Sequence, residues 1–370
     1  MLAGGVTLVR MKRLLIAAGG GGDAIATSMV HAALYGADTP ALVLTYAWER
    51  LVVDPVPGPR RPADFTGTVA AGPGLWLVTS QSAPRAPAGS LLPRLAGELR
   101  PELGLLDPYE GAVGLARQIR AAALHCGADR VDVVDVGGDV VADGTEPTLR
   151  SPLGDALALA ACAAAGLPTT VHVAGPGLDS EVPEGVLLPR LGAPAFALTS
   201  CHALAVDRVF DWHPSEASAL LVAAARGVRG VCGTRDAPQP VLLGPASAEV
   251  YSLSLARALE LNPLARALAG TTDLAQAEAA STAVCGFSEI ARERARALTP
   301  EPPAARPAGG DPAERFGTWA ARTAAMGIEY VTTRRITEEL ALTAGESVLL
   351  QAHLRSAGRQ VAPLWRLGSA

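Results

Sequence analysis

Between Arg13 and Gly175, short apolar runs rich in β-branched residues alternate with longer segments of helical character. The runs are RLLIAA (13–18), ALVLTY (41–46), LWLVTS (75–80), VDVVDV (131–136) and TTVHVA (169–174). DAIATSMVHAALYG (23–36), PYEGAVGLARQIRAAALHCG (108–127) and SPLGDALALAACAAAG (151–166) lie between them. Fully apolar strands joined through helices form parallel sheets covered on both faces. The pattern therefore predicts an α/β fold, a Rossmann-like and mostly parallel sheet with helices on both faces and helical C-terminal additions.

The rest of the chain is less regular. The Pro- and Gly-rich segment 47–74 reads as a long loop, a class that is often functional. PSEASALLVAAARG (214–227) predicts a helix ending in glycine, VRGVCG (228–233) a strand, and 253–298 several helices. A domain at 1–298 holding the active-site cleft, a Pro/Ala/Gly-rich linker at 299–313, and a segment at 314–370 with a helix and the strand GIEYVTT, packing back on the domain, complete the predicted organisation. The opening MLAGGVTLVRMKRLLIAAGGGG reads as a short leader into the first strand rather than a signal peptide, with Met1 or Met11 as the start.

Composition excludes several chemistries. Lys12 is the sole lysine, and it precedes the first strand, whereas open α/β sheets bind ligands beyond the carboxyl ends of their strands. Pyridoxal phosphate, P-loop and protein-kinase chemistry are thereby disfavoured. The replacement of lysine by arginine points to a GC-rich genome of actinobacterial type and to specialised metabolism. A net charge of -5 without a basic run argues against nucleic acid as partner. Five scattered cysteines without a C-x-x-C suit a reduced, cytoplasmic protein. The richest apolar run, ALALAACAAAGL (156–167), is too short to span a bilayer. A small molecule is the expected partner, with self-association left open.

Two stretches carry the candidate site. GGGGD places Gly19, Gly20, Gly21 and Gly22 between a strand and a helix, and Gly19-x-Gly21-x-x-Ala24 fits a dinucleotide fingerprint. The glycines would admit a ligand to the backbone, in excess of what a turn needs, while Asp23 would cap the helix N-terminus and compete with a phosphate there. Glu49, in AWER after the second strand, stands near the position that holds ribose hydroxyls in such folds, with Arg50 beside it; Trp48, Glu49 and Arg50 equally suit a packed ion pair on a loop.

In VDVVDVGGDVVADGTEPTLRSPLGD (131–155), Asp135, Asp139, Asp143 and Glu146 cluster at a strand's carboxyl end, before Arg150 and a helix opening at Ser151 and Pro152. Such carboxylates hold a cation through hard oxygens, orient hydroxyls or move protons. Asp135 and Asp139 are the expected ligands if Mg²⁺ is used; a nucleotide is the other candidate cofactor. Asp143 also fits a D-G turn, Asp155 an exposed helix acid, and Ser151 a helix cap.

These motifs, with the EP…LRSPL segment and WHPSEA (212–217), resemble the bacterial and archaeal domain-of-unknown-function family 1152 over most of the chain. The resemblance implies a Rossmann-like α/β fold and no reaction. His213 is a further acid–base candidate and Arg235, in GTRD, a further anion ligand, against a loop histidine and an Arg235–Asp236 surface pair as plain alternatives. Cys201 and His202, read as strand neighbours, would face opposite ways.

The expected function is non-redox group transfer or hydrolysis on a small polar molecule bearing a nucleotide, glycosyl or phosphate group. Gly19–Gly22 would approach the ligand, Asp23 and Asp135 orient hydroxyls or a cation, Asp139 or Glu146 move the proton, and Arg150 neutralise an anion. An NAD-dependent oxidoreductase and a non-catalytic metabolite-binding protein are the alternatives.

Overall fold

The computed structural model describes residues 12–237, 239–299 and 311–368. Most of the linker expected at 299–313, and both Met1 and Met11, lie outside these residues. The main sheet has nine strands: β1 (Arg13–Ala17), β2 (Ala41–Tyr46), β3 (Val69–Gly72), β4 (Leu75–Val78), β5 (Glu102–Leu106), β6 (Val131–Val136), β7 (Thr169–Ala174), β8 (Phe196–Ala197) and β9 (Glu249–Ser254). Their spatial order is β8-β9-β7-β6-β1-β2-β5-β4-β3. The central β7-β6-β1-β2-β5 block is parallel throughout. Read in chain order, the block is wound outward from β1 first one way and then the other, so the direction reverses between β1 and β6. Open α/β sheets bind ligands in the crevice at such a reversal.

Two corrections concern strands. LWLVTS supplies β4, which runs antiparallel to β5 rather than parallel as part of the alternating set. The remaining parallel strand is ELGLL, which carries no β-branched residue and so lacked the compositional mark of a strand. The supposed loop 47–74 contains the helix Arg50–Val53, a short 3₁₀ turn and strand β3, because its prolines sit at turn positions outside the pairing.

Helix α1 (Asp23–Tyr35) follows β1, α2 (Gly111–Cys126) follows β5, and α3 (Pro152–Ala165) follows β6. The last is buried almost all round, which explains its uniform apolarity: it lies between the sheet, α2 and the helices 263–267 and 274–285. Two cores result. Leu14, Ile16 and Val133 pack with α2 and α3 on one face, while Leu15, Ala17 and Val134 pack with α1 and α4 (Glu216–Ala225) on the other. Alternate residues of each strand serve opposite faces, as the pleat requires.

A second sheet of five short strands joins Gly230–Gly233 in parallel to Tyr330–Val331, and a third core around Phe316, Trp319, Leu354 and Trp365 backs it. Cys201 and His202 lie in a helical turn, Ser200–Ala203, where His202 Nδ1 accepts from the Thr199 N–H, so the strand reading fails there. Among the described residues no helix is long and apolar enough to cross a membrane.

The second sheet is pinned to α4 by Glu216. Its buried carboxylate accepts the backbone N–H groups of Arg235 and Asp236 and the Thr332 hydroxyl, and it lies 3.8 Å from the Arg334 guanidinium. Replacing Glu216 with Ala strands these three donors, while Arg334 keeps Asp236 and Glu338, and should cost about 3 kcal/mol. Urea denaturation of the two proteins measures this, and a loss under about 1 kcal/mol would refute the pinning role.

Candidate active site

The glycine turn is packed by the protein itself. A Cβ on Gly19 would lie 2.5 Å from Asp23 Oδ2, on Gly20 2.9 Å from the Trp48 carbonyl, on Gly21 2.9 Å from Glu49, and on Gly22 2.4 Å from Ser215 Oγ. Those contacts account for all four glycines without a ligand, contrary to the surplus inferred from sequence. Asp23 is the first residue of α1 and does not cap it. Its Oδ2 instead accepts the Gly19 N–H at 2.9 Å, curling back over the turn where a pyrophosphate would sit.

The acids after β6 separate into two groups. Glu146 is drawn away from catalysis: it accepts the N–H groups of Asp143 and Gly144 and pairs with Arg190 at 2.7 Å. Asp143 closes the same turn onto Thr145 and also meets Arg190. Asp135 and Asp139 point inward. Positive φ angles at Gly137 and Gly138 make the sharp exit from β6, and a Cβ on Gly137 would strike the Asp179 carboxyl at 2.1 Å.

Asp155, expected on an exposed helix face, is instead 3% exposed and faces the cluster. Gly154 permits this. A Cβ there would press the Ala18 carbonyl at 3.2 Å, so glycine lets α3 settle against the end of β1. The buried Tyr46 hydroxyl donates to the Gly154 carbonyl and fixes that approach. Single carboxylate oxygens of Asp23, Asp135 and Asp155 then all lie within 4.8 Å of one another. Two ionised carboxylates at about that spacing repel by about 3 kcal/mol at an effective dielectric of ~20.

The surroundings add more negative charge. Asp179 and Glu181, on the loop after β7, were not singled out from the sequence. Glu181 accepts the N–H groups of Arg150 and Ser151 and the Ser151 hydroxyl, so Ser151 serves this carboxylate and not a helix cap. Glu289, at the start of α5 (Glu289–Leu298), accepts from the Leu153 N–H and pairs with Arg50. Arg50 also reaches Glu293 and lies 3.7 Å over the Trp48 ring. The WER triplet is thus a packed ion pair, its acids supplied by α5.

Burial dominates the electrostatics. It pushes Asp135 up to about 7 against a hydrogen bond from Val140, and Glu289 up to about 8 against the Arg50 charge. Asp139 is raised well above the ordinary range by burial and by Glu181, Asp179, Asp155 and Asp135. Asp23 and Asp155 are raised by burial and by Asp135. Oδ1 of Asp139 and Oδ1 of Asp155 are buried without a hydrogen-bond partner. This arrangement can hold a cation, or store and deliver a proton.

The remaining candidates fall elsewhere or at the rim. Glu49 adjoins Gly21; its Oε1 accepts from Ser90 and Leu91, and its Oε2 is buried without a partner. Arg150 stands at the rim, donating to the Asp179 carbonyl and the Ser180 hydroxyl. Arg235 pairs with Glu338 beside the second sheet, and its neighbour Asp236 pairs with Arg334, so the expected Arg235–Asp236 pair does not form. His213 is 8% exposed, its Nδ1 accepts the Ser215 N–H, and no hydrogen bond or ion pair among the described residues joins it to the acids.

A sequence profile of the family described as "Protein of unknown function (DUF1152)" matches residues 14–297, which include all of β1 to β9 but Arg13, the glycine turn and every acid of the cluster. No curated protein and no solved structure matches the chain.

Burial lowers the His213 pKa to about 3, so the ring is neutral at physiological pH. The folded value lies below the unfolded one of about 6.5, so its stabilisation is complete above pH ~6.5 and falls away as pH drops toward the folded value. His213→Asn, whose Oδ1 can take over the Ser215 N–H, should therefore lose less stability than the parent between pH 6.5 and 4. Urea midpoints of the two proteins that fall in parallel over that range would contradict the neutral, structural histidine.

Proposed function

The chain belongs to the DUF1152 family, and for it we propose non-redox catalysis: hydrolysis of, or group transfer from, a small polar metabolite bearing a nucleotide, glycosyl or phosphate group. One observation carries the reading. Asp23, Asp135 and Asp155 converge from α1, β6 and α3 at the crevice where the sheet reverses, with Asp139 beside them. A carboxyl that burial and neighbouring acids raise well above the ordinary carboxylate range is suited to protonating a leaving group. Asp139 takes that part, since Glu146 is committed to Arg190. Asp23 and Asp135 orient the substrate's hydroxyls or a cation, and Arg150 meets its anionic end from the rim.

A nucleotide portion is favoured by Glu49, whose side chain packs against Gly21 and whose Oε2 lacks a partner that a ribose hydroxyl would supply. The Asp23 carboxylate over the turn argues against dinucleotide-dependent redox chemistry, because it occupies the usual seat of the pyrophosphate. Free cysteines, three of them buried, support a cytoplasmic setting.

The test is mass-spectrometric detection of product from a panel of nucleotides, nucleoside sugars and sugar phosphates, with and without Mg²⁺. Asp139→Asn, isosteric with the protonated acid, should fold normally and lower turnover at least about 100-fold. Asp143→Asn should stay within a few-fold of the parent. Reduction of NAD or NADP as the sole reaction, or tight metabolite binding with no product, would overturn the proposal in favour of an oxidoreductase or a binding protein.

A further inference from the structure

We infer that Asp23, Asp135 and Asp155 form the binding site of one hard divalent cation, of the Mg²⁺ or Mn²⁺ class, each giving one carboxylate oxygen. The inference deepens the proposed function and rests on it for the cation's role, though not for its binding. The three ligand atoms lie within 4.8 Å of one another. A closure of only about half an ångström lets them share one ion of the Mg²⁺ or Mn²⁺ class, whose oxygens lie about 2.1 Å from the metal and so at most about 4.2 Å apart. They come from three separate elements held rigidly by the sheet, as a preformed site requires.

A second observation is independent of the clustering. Oδ1 of Asp155, a residue only 3% exposed, has no hydrogen-bond partner, and Asp155 faces two more carboxyls instead of a donor. Buried polar oxygens are almost always partnered, and an orphan of this kind calls for an ion or water. The other two ligands are oriented by backbone donors, Gly19 N–H on Asp23 Oδ2 and Val140 N–H on Asp135 Oδ2, with the Gly138 and Val136 backbone also serving Asp135.

Local cations do not already fill the need. Arg50, whose charge acts on Asp23, is drawn off by Glu289 and Glu293, and Arg150 by Glu181 and the Ser180 hydroxyl. The donor set selects the metal class: all three ligands are hard carboxylate oxygens, with no imidazole or thiolate among them, which disfavours Zn²⁺ and Cu²⁺. Three protein ligands leave coordination positions for water or a substrate oxygen. An anionic metabolite thus has a route into a crevice otherwise lined by negative charge.

The full chain, stripped with EDTA, would be titrated separately with MgCl₂, MnCl₂ and CaCl₂ by calorimetry, with Mn²⁺ also followed by loss of the free-ion EPR signal. One equivalent of Mg²⁺ or Mn²⁺ should bind and raise the melting temperature. Asp155→Asn should weaken binding at least tenfold while melting no lower than the stripped parent, since it removes an unpartnered buried carboxyl. Asp23→Asn, at a half-buried position where the amide oxygen can still accept the Gly19 N–H, serves as the second variant, with the same expected loss.

Absence of stoichiometric binding by all three ions would overturn the inference, as would unchanged affinity in both variants or preference for Ca²⁺ alone. Cation binding without any turnover would sink the proposed function and leave this site standing. Turnover indifferent to EDTA, with no cation bound, would do the reverse.

Discussion

The adjacency of β1 and β6 is the constraint on which the site depends. The chain leaves β1 for a helix on one face and β6 for a helix on the other, so the sheet opens between them. Each exit must be tight. At β1, glycines let Trp48, Glu49 and Ser215 close over the turn. At β6, Gly137 and Gly138 take backbone angles that side chains rarely adopt, which brings the Asp179 loop within contact. Gly154 completes the closure by seating α3 against Ala18, and only then does Asp155 arrive beside Asp135 and Asp23.

The electrostatic consequence is unusual for a fold of this kind. Helix N-termini at such crevices ordinarily offer free N–H groups to an anion. Here Asp23 curls over the Gly19 N–H, and further acids arrive from α3, from the loop after β7 and from α5. Arg50 and Arg150 are each tied to other carboxylates, Glu289 and Glu181. Burial then pushes these acids above the ordinary carboxylate range, toward keeping their protons or sharing a cation. Either state suits chemistry on a polar molecule, and neither adds much to the stability of the fold.

Glu146 and Asp155 show why acidic positions could not be ranked from sequence. Both lie within ten residues of one another on the same connection. Glu146 falls opposite Arg190 of the helix Glu184–Leu191, and that long-range pairing retires it to a structural turn. Asp155 occupies an alanine-rich helix buried almost all round, exposed only at Ala163 and Ala164 two turns further on, so its own face is covered. Arg50 is a similar case: its partners Glu289 and Glu293 lie more than 230 residues away along the chain.

Alternation of apolar β-branched runs with helices determined the parallel sheet and its layers by itself, because burial on both faces demands that pattern locally. It also placed GGGGD and DVGGD at the carboxyl ends of strands, the side on which open α/β sheets bind ligands. Weakly marked strands such as Glu102–Leu106 escaped, since their pairing comes from neighbours and not from their own composition. Only the tertiary structure decided which carboxylates face one another and which are neutralised. Charge interactions act through space between segments distant in sequence, and their strength is set by burial, a property no single segment carries.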